Sequence, residues 1–183
     1  MYLSDVDIKK ALDSKDIVIS DFDPTRLQPA SYDILLWNKF LVFWRHSTPF
    51  IDPVKKILPN YREIILKDDE TFVLHPWVSI LWVSVDYFWS DKYLVQLSWK
   101  SSLARIGLLV HNTAWIINPG HFLNITFELC NLNSVPIILR PKMEIAQILF
   151  SKISSACSKD YKKTWRFKDG EDNFVSYQDK KEV

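Results

Sequence analysis

Apolar and polar residues alternate in short runs along most of this chain. The runs fall at 34–36, 40–44, 62–66, 71–74, 79–85, 93–97, 124–130, 136–139 and 145–150. Between them lie Pro, Asn, Asp and Ser, the residues that turn a backbone. Short runs of this kind, bounded by turn residues, read as β-strands, and where the alternation has period two successive side chains go to opposite sheet faces. In "NITFELCN" (124–131) Ile125, Phe127 and Leu129 fall on one face, and Thr126, Glu128 and Cys130 on the other. Many short strands separated by turns predict an all-β barrel or sandwich.

The pattern turns helical in two places. In "LSDVDIKKALDS" (3–14) Ile8, Ala11 and Leu12 share one helix face, Ser4 can cap the start and Asp7 follows three residues on. The spacing at 101–106 predicts a second, short helix, capped by a serine and ended by Gly107. "DFDPTRLQPASYD" (21–33) is irregular and rich in turn residues. From Ser154 onward the chain is polar and charged, which suits a flexible end or an arm that orders on a partner. The expected organisation is one domain over 1–153 and a tail over 154–183, with no internal repeat.

Composition narrows the function classes. With 183 residues the chain can bury a real core. Its 23 basic and 22 acidic residues nearly cancel, so no overall pull on nucleic acid or on a membrane surface is expected. The longest apolar runs are too short to span a bilayer, and "MYLSDVDIKK" lacks a signal-peptide pattern. Cys130 and Cys157 form no CxxC pair and have no histidine at ligand spacing, so no zinc site is expected. Two lone cysteines fit a reducing cytoplasm.

Two stretches carry chemistry. "KSSLAR" (100–105) sets Lys100 and Arg105 around two hydroxyls at a predicted helix start, an arrangement suited to phosphate. The plainer reading is a solvated cap with flanking charges. Glu128, mid-strand among small groups, can serve as a general acid/base if its surroundings raise its pKa. The plainer reading is a solvent-facing glutamate. His111 ends the apolar run "IGLLV" and reads as a hydrogen-bonded structural residue. His46, His75 and His121 form no motif with it. Asp33 and Asp52, both near prolines, read as turn and cap residues.

Order and spacing add a resemblance. "LSDVDIKKAL", "LQPASYDILL", "LHP", "KSSLARIGLLVHNTA", "INPG", "ITFEL" and "RPKMEIAQILF" occur in this order. Together they resemble the dCTP deaminase branch of the dUTPase-like family, from about residue 1 to residue 150. The resemblance implies a dUTPase-like β-clip, a distorted barrel with short helices. It implies homotrimers with active sites between subunits, no zinc, and Mg2+ carried on the substrate triphosphate. The implied leading activity is hydrolysis of dCTP to dUTP and ammonia, with dTTP as an inhibitor. The alternatives are a dUTPase or bifunctional deaminase–diphosphatase, and a silent nucleotide- or protein-binding paralogue.

Site residues carried by the resemblance follow the motifs. Glu128 matches the proton-shuttling glutamate, Ser101 the serine that places the water, and Arg105 the arginine beside the reacting centre. Lys100 and Ser102 match triphosphate contacts. His111, Thr113 and Ala114 fall in the stretch that lines the base pocket. Gln147 matches a structural glutamine near the trimer core.

Departures from the pattern are as informative. Asn118 stands in "INPG" where the family carries an aspartate that contacts the sugar 3′-hydroxyl. Asparagine can hydrogen-bond a hydroxyl but cannot act as a base, which argues against phosphate-bond hydrolysis. In the tail, "TWRFKDGEDNF" (164–174) sets Phe167 and Glu171 at the positions of a closing lysine and glutamine. Arg166 and Lys168 are the nearest cations, while Asp169, Glu171 and Asp172 would repel a triphosphate.

The chain also has eight Trp and only three Gly. Trp37, Trp77, Trp82, Trp99, Trp115 and Trp165 stand where the resemblance places glycine, as do Leu123, Lys142 and Ala146. Where such a glycine has positive φ, a bulky replacement costs about 1–3 kcal/mol. Three readings are open. The backbone has adapted and the tryptophans pack; the pocket is closed and the chain is silent; or UGA codons read as glycine in the host have been translated as tryptophan.

Overall fold

The computed structural model describes residues 1–44, 47–55, 57–112 and 115–158, with residue 123 described by its backbone alone. Among these the chain is mostly β. Helix α1 (Asp5–Asp13) is followed by β1 (Val18–Ile19), a 3-10 turn at Pro24–Arg26, β2 (Leu27–Gln28) and the long β3 (Ser31–Phe43). Then come β4 (Tyr61–Ile65), β5 (Phe72–Leu74), β6 (Ser79–Trp89), β7 (Tyr93–Trp99) and helix α2 (Ser101–Arg105). β8 (Leu108–Leu109), β9 (Ile116–Ile117), β10 (Leu123–Asn131), β11 (Ile137–Leu139) and β12 (Glu144–Lys152) complete the described part.

One antiparallel sheet carries most of these strands, in the order β8-β10-β6-β3-β12-β7-β9, with β1 added to β6 and β2 and β4 to β3. β5 and β11 pair separately. β3 makes the sheet curl. Its first half pairs with β12, through Tyr32↔Ile148 to Leu35↔Glu144, and its second half pairs with β6 and β4. The register shift between Leu36 and Phe40 is a bulge, which bends a strand and increases its twist. The expected runs 34–36 and 40–44 are therefore one bent strand. An all-β fold with short helices is what the structure shows.

Burial follows the alternation. Ile125, Phe127 and Leu129 are buried, and Ile8 and Ala11 of α1 join the same core. Ser4 caps α1, accepting a hydrogen bond from the Asp7 backbone at 3.4 Å. Trp82 has no exposed surface. Its indole donates to the Trp37 carbonyl in the bulge at 2.9 Å, and its ring stacks on Phe40 at 4.3 Å. At this position the backbone has accommodated the ring. A buried ion pair ties the irregular 21–33 segment to β6. Arg26 donates to both Asp86 oxygens at 2.7 and 3.0 Å and lies over the Tyr32 ring.

Two local expectations are corrected. The N-cap of α2 is Lys100, with no side-chain cap bond, rather than a serine. Gly107 does follow α2, at φ +79°. Asp33 is a buried β3 residue rather than a turn or cap residue. Asp52 does cap a turn, accepting from the backbone N–H groups of Val54 and Lys55. The expected strain is also narrower than the tryptophan count suggested. Among the described non-glycine residues, positive φ occurs only at Lys15, Trp77 and Lys142.

Candidate active site

Glu128 lies mid-way along β10, facing Leu81 of β6 in the register. Burial of its strand neighbours Phe127 and Leu129 turns Glu128 to the opposite face, where it is half-buried. The Asn112 backbone N–H donates to its Oε2 at 3.1 Å. Burial raises the Glu128 pKa, and hydrogen bonds from the Asn112 and Glu128 backbones only partly oppose that. A carboxyl whose proton is held above its ordinary range, with one oxygen fixed, suits a group that takes and returns a proton.

His111, the residue before Asn112, is buried. Its ring meets the edge of Trp99 at 5.2 Å, and burial lowers its pKa. Its Nδ1 has no hydrogen-bond partner among the described residues. The expectation of a hydrogen-bonded structural histidine is thus not met at that nitrogen.

The segment after β7 builds the other part. The Lys100 carbonyl accepts the N–H groups of Leu103 and Ala104 at 3.0 and 3.1 Å and so starts α2. Ser101, Ser102 and Arg105 are exposed on this helix. Gly107 then turns the chain into β8, which pairs with β10 at Leu109↔Cys130. A Cβ on Gly107 would stand 3.1 Å from the Asn133 backbone nitrogen, so the close approach also favours glycine. No hydrogen bond joins Glu128 to Ser101 or Arg105 among the described residues. Asn118 is exposed beyond β9, and its carbonyl closes a turn onto the His121 N–H at 3.2 Å. Thr113, Ala114, Trp165 and Lys168 lie outside the described residues, as does the tail from 159.

Lys100 itself is held elsewhere. Its ammonium lies 3.1 Å from Asp33 and also pairs with Glu144. Burial works against the Lys100 charge, but the hydrogen bonds it donates to Glu144 and Asp33 outweigh that and raise the pKa. Gln28 donates to the same Asp33 oxygen at 3.0 Å. Beside this cluster, Gln147 accepts from the Ser31 hydroxyl at 2.8 Å and donates to the Trp99 carbonyl at 3.5 Å. Sequence reasoning passed over Glu144 and the Asn112 N–H. The signal for Glu144 was its place at the start of the last alternating run, beside the strand that carries Asp33.

A family model described as dCTP deaminase-like matches residues 2–153. The chain belongs to this family. The "dCTP deaminase, dUMP-forming" of Tropheryma whipplei (strain Twist) is 43% identical over 162 residues, covering 88% of this chain and 83% of the relative. The protein of the same name from Clavibacter michiganensis is 40% identical over 162 residues, covering 88% and 81%. The crystal structure of 2′-deoxycytidine 5′-triphosphate deaminase from Agrobacterium tumefaciens shares the fold, with a TM-score of 0.62 at 20% identity. That match covers 81% of this chain and 47% of the longer one. Membership in the dCTP deaminase-like family is what the motif order implied. The product is where expectation and relatives part: both names specify dUMP, not dUTP.

Proposed function

We propose that this protein deaminates dCTP by hydrolysis and releases the nucleotide as dUMP. The observation that carries the reading is Glu128, half-buried, with a raised pKa and one oxygen fixed by Asn112, in a chain of the dCTP deaminase-like family. Water adds to C4 of the cytosine, Glu128 takes its proton and returns it to the leaving nitrogen, and ammonia departs. Ser101 places the water, and Arg105 stabilises the charge that develops nearby. A second water then cleaves the bond to the α-phosphate and pyrophosphate leaves. The relatives' names support dUMP over the dUTP expected first. Asn118 cannot act as a base in that second step, so another group must orient the water.

Mg2+ rides on the triphosphate, and the deamination uses no zinc. Three copies assemble, with sites at their boundaries. The exposure of Ser101, Ser102 and Arg105, without a bond to Glu128, supports completion by a neighbouring copy. A cytoplasmic nucleotide-pool role, with dTTP as competitor, belongs to the same reading. No helix among the described residues is long and apolar enough to cross a membrane.

The test is a product assay with dCTP and Mg2+, separated by chromatography. Ammonia, dUMP and pyrophosphate are expected. Accumulation of dUTP would confine the protein to deamination, and Asn118→Asp should then raise the dUMP share. Binding of dCTP without turnover would overturn the enzyme reading in favour of a silent binding protein. Glu128→Ala should abolish turnover while dCTP still binds.

A further inference from the structure

Lys100 has two jobs in the structure, one for its carbonyl and one for its ammonium. Its carbonyl starts α2, and its ammonium is clamped between Asp33 of β3 and Glu144 of β12. The register places Asp33 opposite Gln147 and Gln147 opposite Ser98, so these groups form a row across β3, β12 and β7. Asp33 is buried and held a second time by Gln28. The residue before Lys100 is held through its carbonyl by Gln147. Two carboxylates against one ammonium leave excess negative charge, a poor setting for a triphosphate.

We propose that Lys100, Asp33 and Glu144 form a latch that positions α2, and that Lys100 is a positioning residue rather than a phosphate clamp. Resting on the deamination reading, this leaves Arg105 as the cation of the segment that meets substrate. Removing the latch lets Ser101 and Arg105 drift, and displacements of about 1 Å can lower a rate about 100-fold.

The experiment compares the full chain with Lys100→Met, Lys100→Arg, Asp33→Asn and Glu144→Gln. It measures dCTP turnover with Mg2+ and amide hydrogen exchange across 99–106. Lys100→Met and Asp33→Asn should each lower kcat about 10–100-fold, with KM within about threefold. Exchange at 101–105 should rise in both, and Lys100→Arg should restore part of the loss. A chain carrying both Lys100→Met and Asp33→Asn should lose little more than either single variant, as for two ends of one interaction. A KM that rises more than about tenfold in Lys100→Met with kcat retained, or a KM that falls in Asp33→Asn, would show a phosphate clamp and overturn the latch. Unchanged exchange would overturn it too. Should Asp33→Asn fail to fold, Glu144→Gln at its half-exposed site supplies the same comparison. If the parent turns over no dCTP, the deamination reading fails, and exchange alone still decides the latch.

Trp77 carries a second, independent inference. His75–Val78 is a turn closed by the Val78 N–H on the His75 carbonyl at 3.2 Å. Pro76 holds its second position and Trp77, at φ +60°, its third. That is the pattern of a type II turn, whose third position calls for glycine. A bulky residue there is an outlier, and at 73% exposed Trp77 buries little beyond what an unfolded chain already does. With eight Trp to three Gly in the chain, we infer that residue 77 is glycine in the protein its own host makes, encoded by UGA.

The gene and a thermal melt test this. The codon at 77 should be UGA; UGG overturns the inference. Trp77→Gly should raise the melting midpoint about 2–6 °C, and Trp77→Ala clearly less, because alanine keeps the left-handed strain. No rise with glycine, or an equal rise with alanine, would show that position 77 makes no demand for glycine and would also overturn it.

Discussion

Trp82 and Trp77 sit close together in the chain and in opposite physical situations. Trp82, inside the sheet, is wholly buried, stacked on Phe40 and hydrogen-bonded to the bulge carbonyl of residue 37. Trp77, in the turn before β6, is mostly exposed on left-handed backbone. The sheet asks residue 82 for volume, while the turn asks residue 77 for backbone freedom. A high tryptophan count is therefore not one phenomenon in this chain. Each position has to be judged by what surrounds it.

The largest effect is expected where volume matters. Trp82→Ala should lower stability by about 3–5 kcal/mol, because it leaves a cavity against Phe40 and Phe72 and an unpaired bulge carbonyl. Urea unfolding checks it. A loss below about 1 kcal/mol would mean that the interior collapses around the missing ring, and the contrast with the turn would disappear.

Glu128 is the next test, because it shares β10 with core residues yet lies on the strand's other face. Glu128→Gln should lower kcat about 10²–10⁴-fold, the range for loss of a general acid/base. In the parent, kcat/KM should fall on the acid side with a midpoint above the ordinary glutamate value of 4.5, since burial raises this pKa. A limb at or below that value would remove Glu128 from the rate law. Its effect on stability has a definite sign. With the folded pKa raised, the contribution is present below the unfolded pKa and is lost as pH rises through the folded one.

The fold was more legible than the site, for a physical reason. Short apolar runs bounded by turn residues marked β4, β5, β6, β7, β10, β11 and β12, and in β10 burial imposes a clear period of two. The bulge at 37–39 interrupts that period, which hid the continuity of β3. Two-residue strands such as β8 and β9 are too short to show any period. At the site, the face of Glu128 was readable, but the Asn112 N–H reaches it through chain folding that no local pattern records. Asp33 read as a turn residue because prolines stand near it. Its ion-pair partner Lys100, which Glu144 shares, lies far along the chain, and only the pairing of β3, β12 and β7 brings the three together. Roles for Ser101 and Arg105 came from motif resemblance, because nothing in the spacing of two exposed side chains fixes a reaction.

A smaller effect is expected at His111. Burial lowers its pKa, so it contributes stability above the ordinary value of 6.5 that is lost as pH falls through the folded value. Its sign is opposite to that of Glu128, because burial favours the neutral form of each. Melting midpoints should therefore decline from pH 7 downward, and His111→Asn should flatten part of that decline. An identical pH profile in His111→Asn would show that the ring does not titrate differently on folding.

The smallest effect returns to the turns. Arg140–Met143 repeats the geometry of His75–Val78: Met143 donates to the Arg140 carbonyl at 3.3 Å, Pro141 stands second, and Lys142 has φ +62°. Lysine and tryptophan are both unbranched at Cβ, but lysine continues as a single flexible chain where tryptophan carries an indole ring. Lys142 also reaches Asp68 at 2.5 Å, but both side chains are about two-thirds exposed, so that pair contributes little. Lys142→Gly relieves left-handed strain and gives up this pair, so stability should change by less than about 1 kcal/mol. Thermal unfolding beside Trp77→Gly makes the comparison. If Lys142→Gly gains as much as Trp77→Gly, the strain belongs to the turn geometry, and the size of the side chain adds nothing. If it gains clearly less, the indole adds to the left-handed strain that the two turns share.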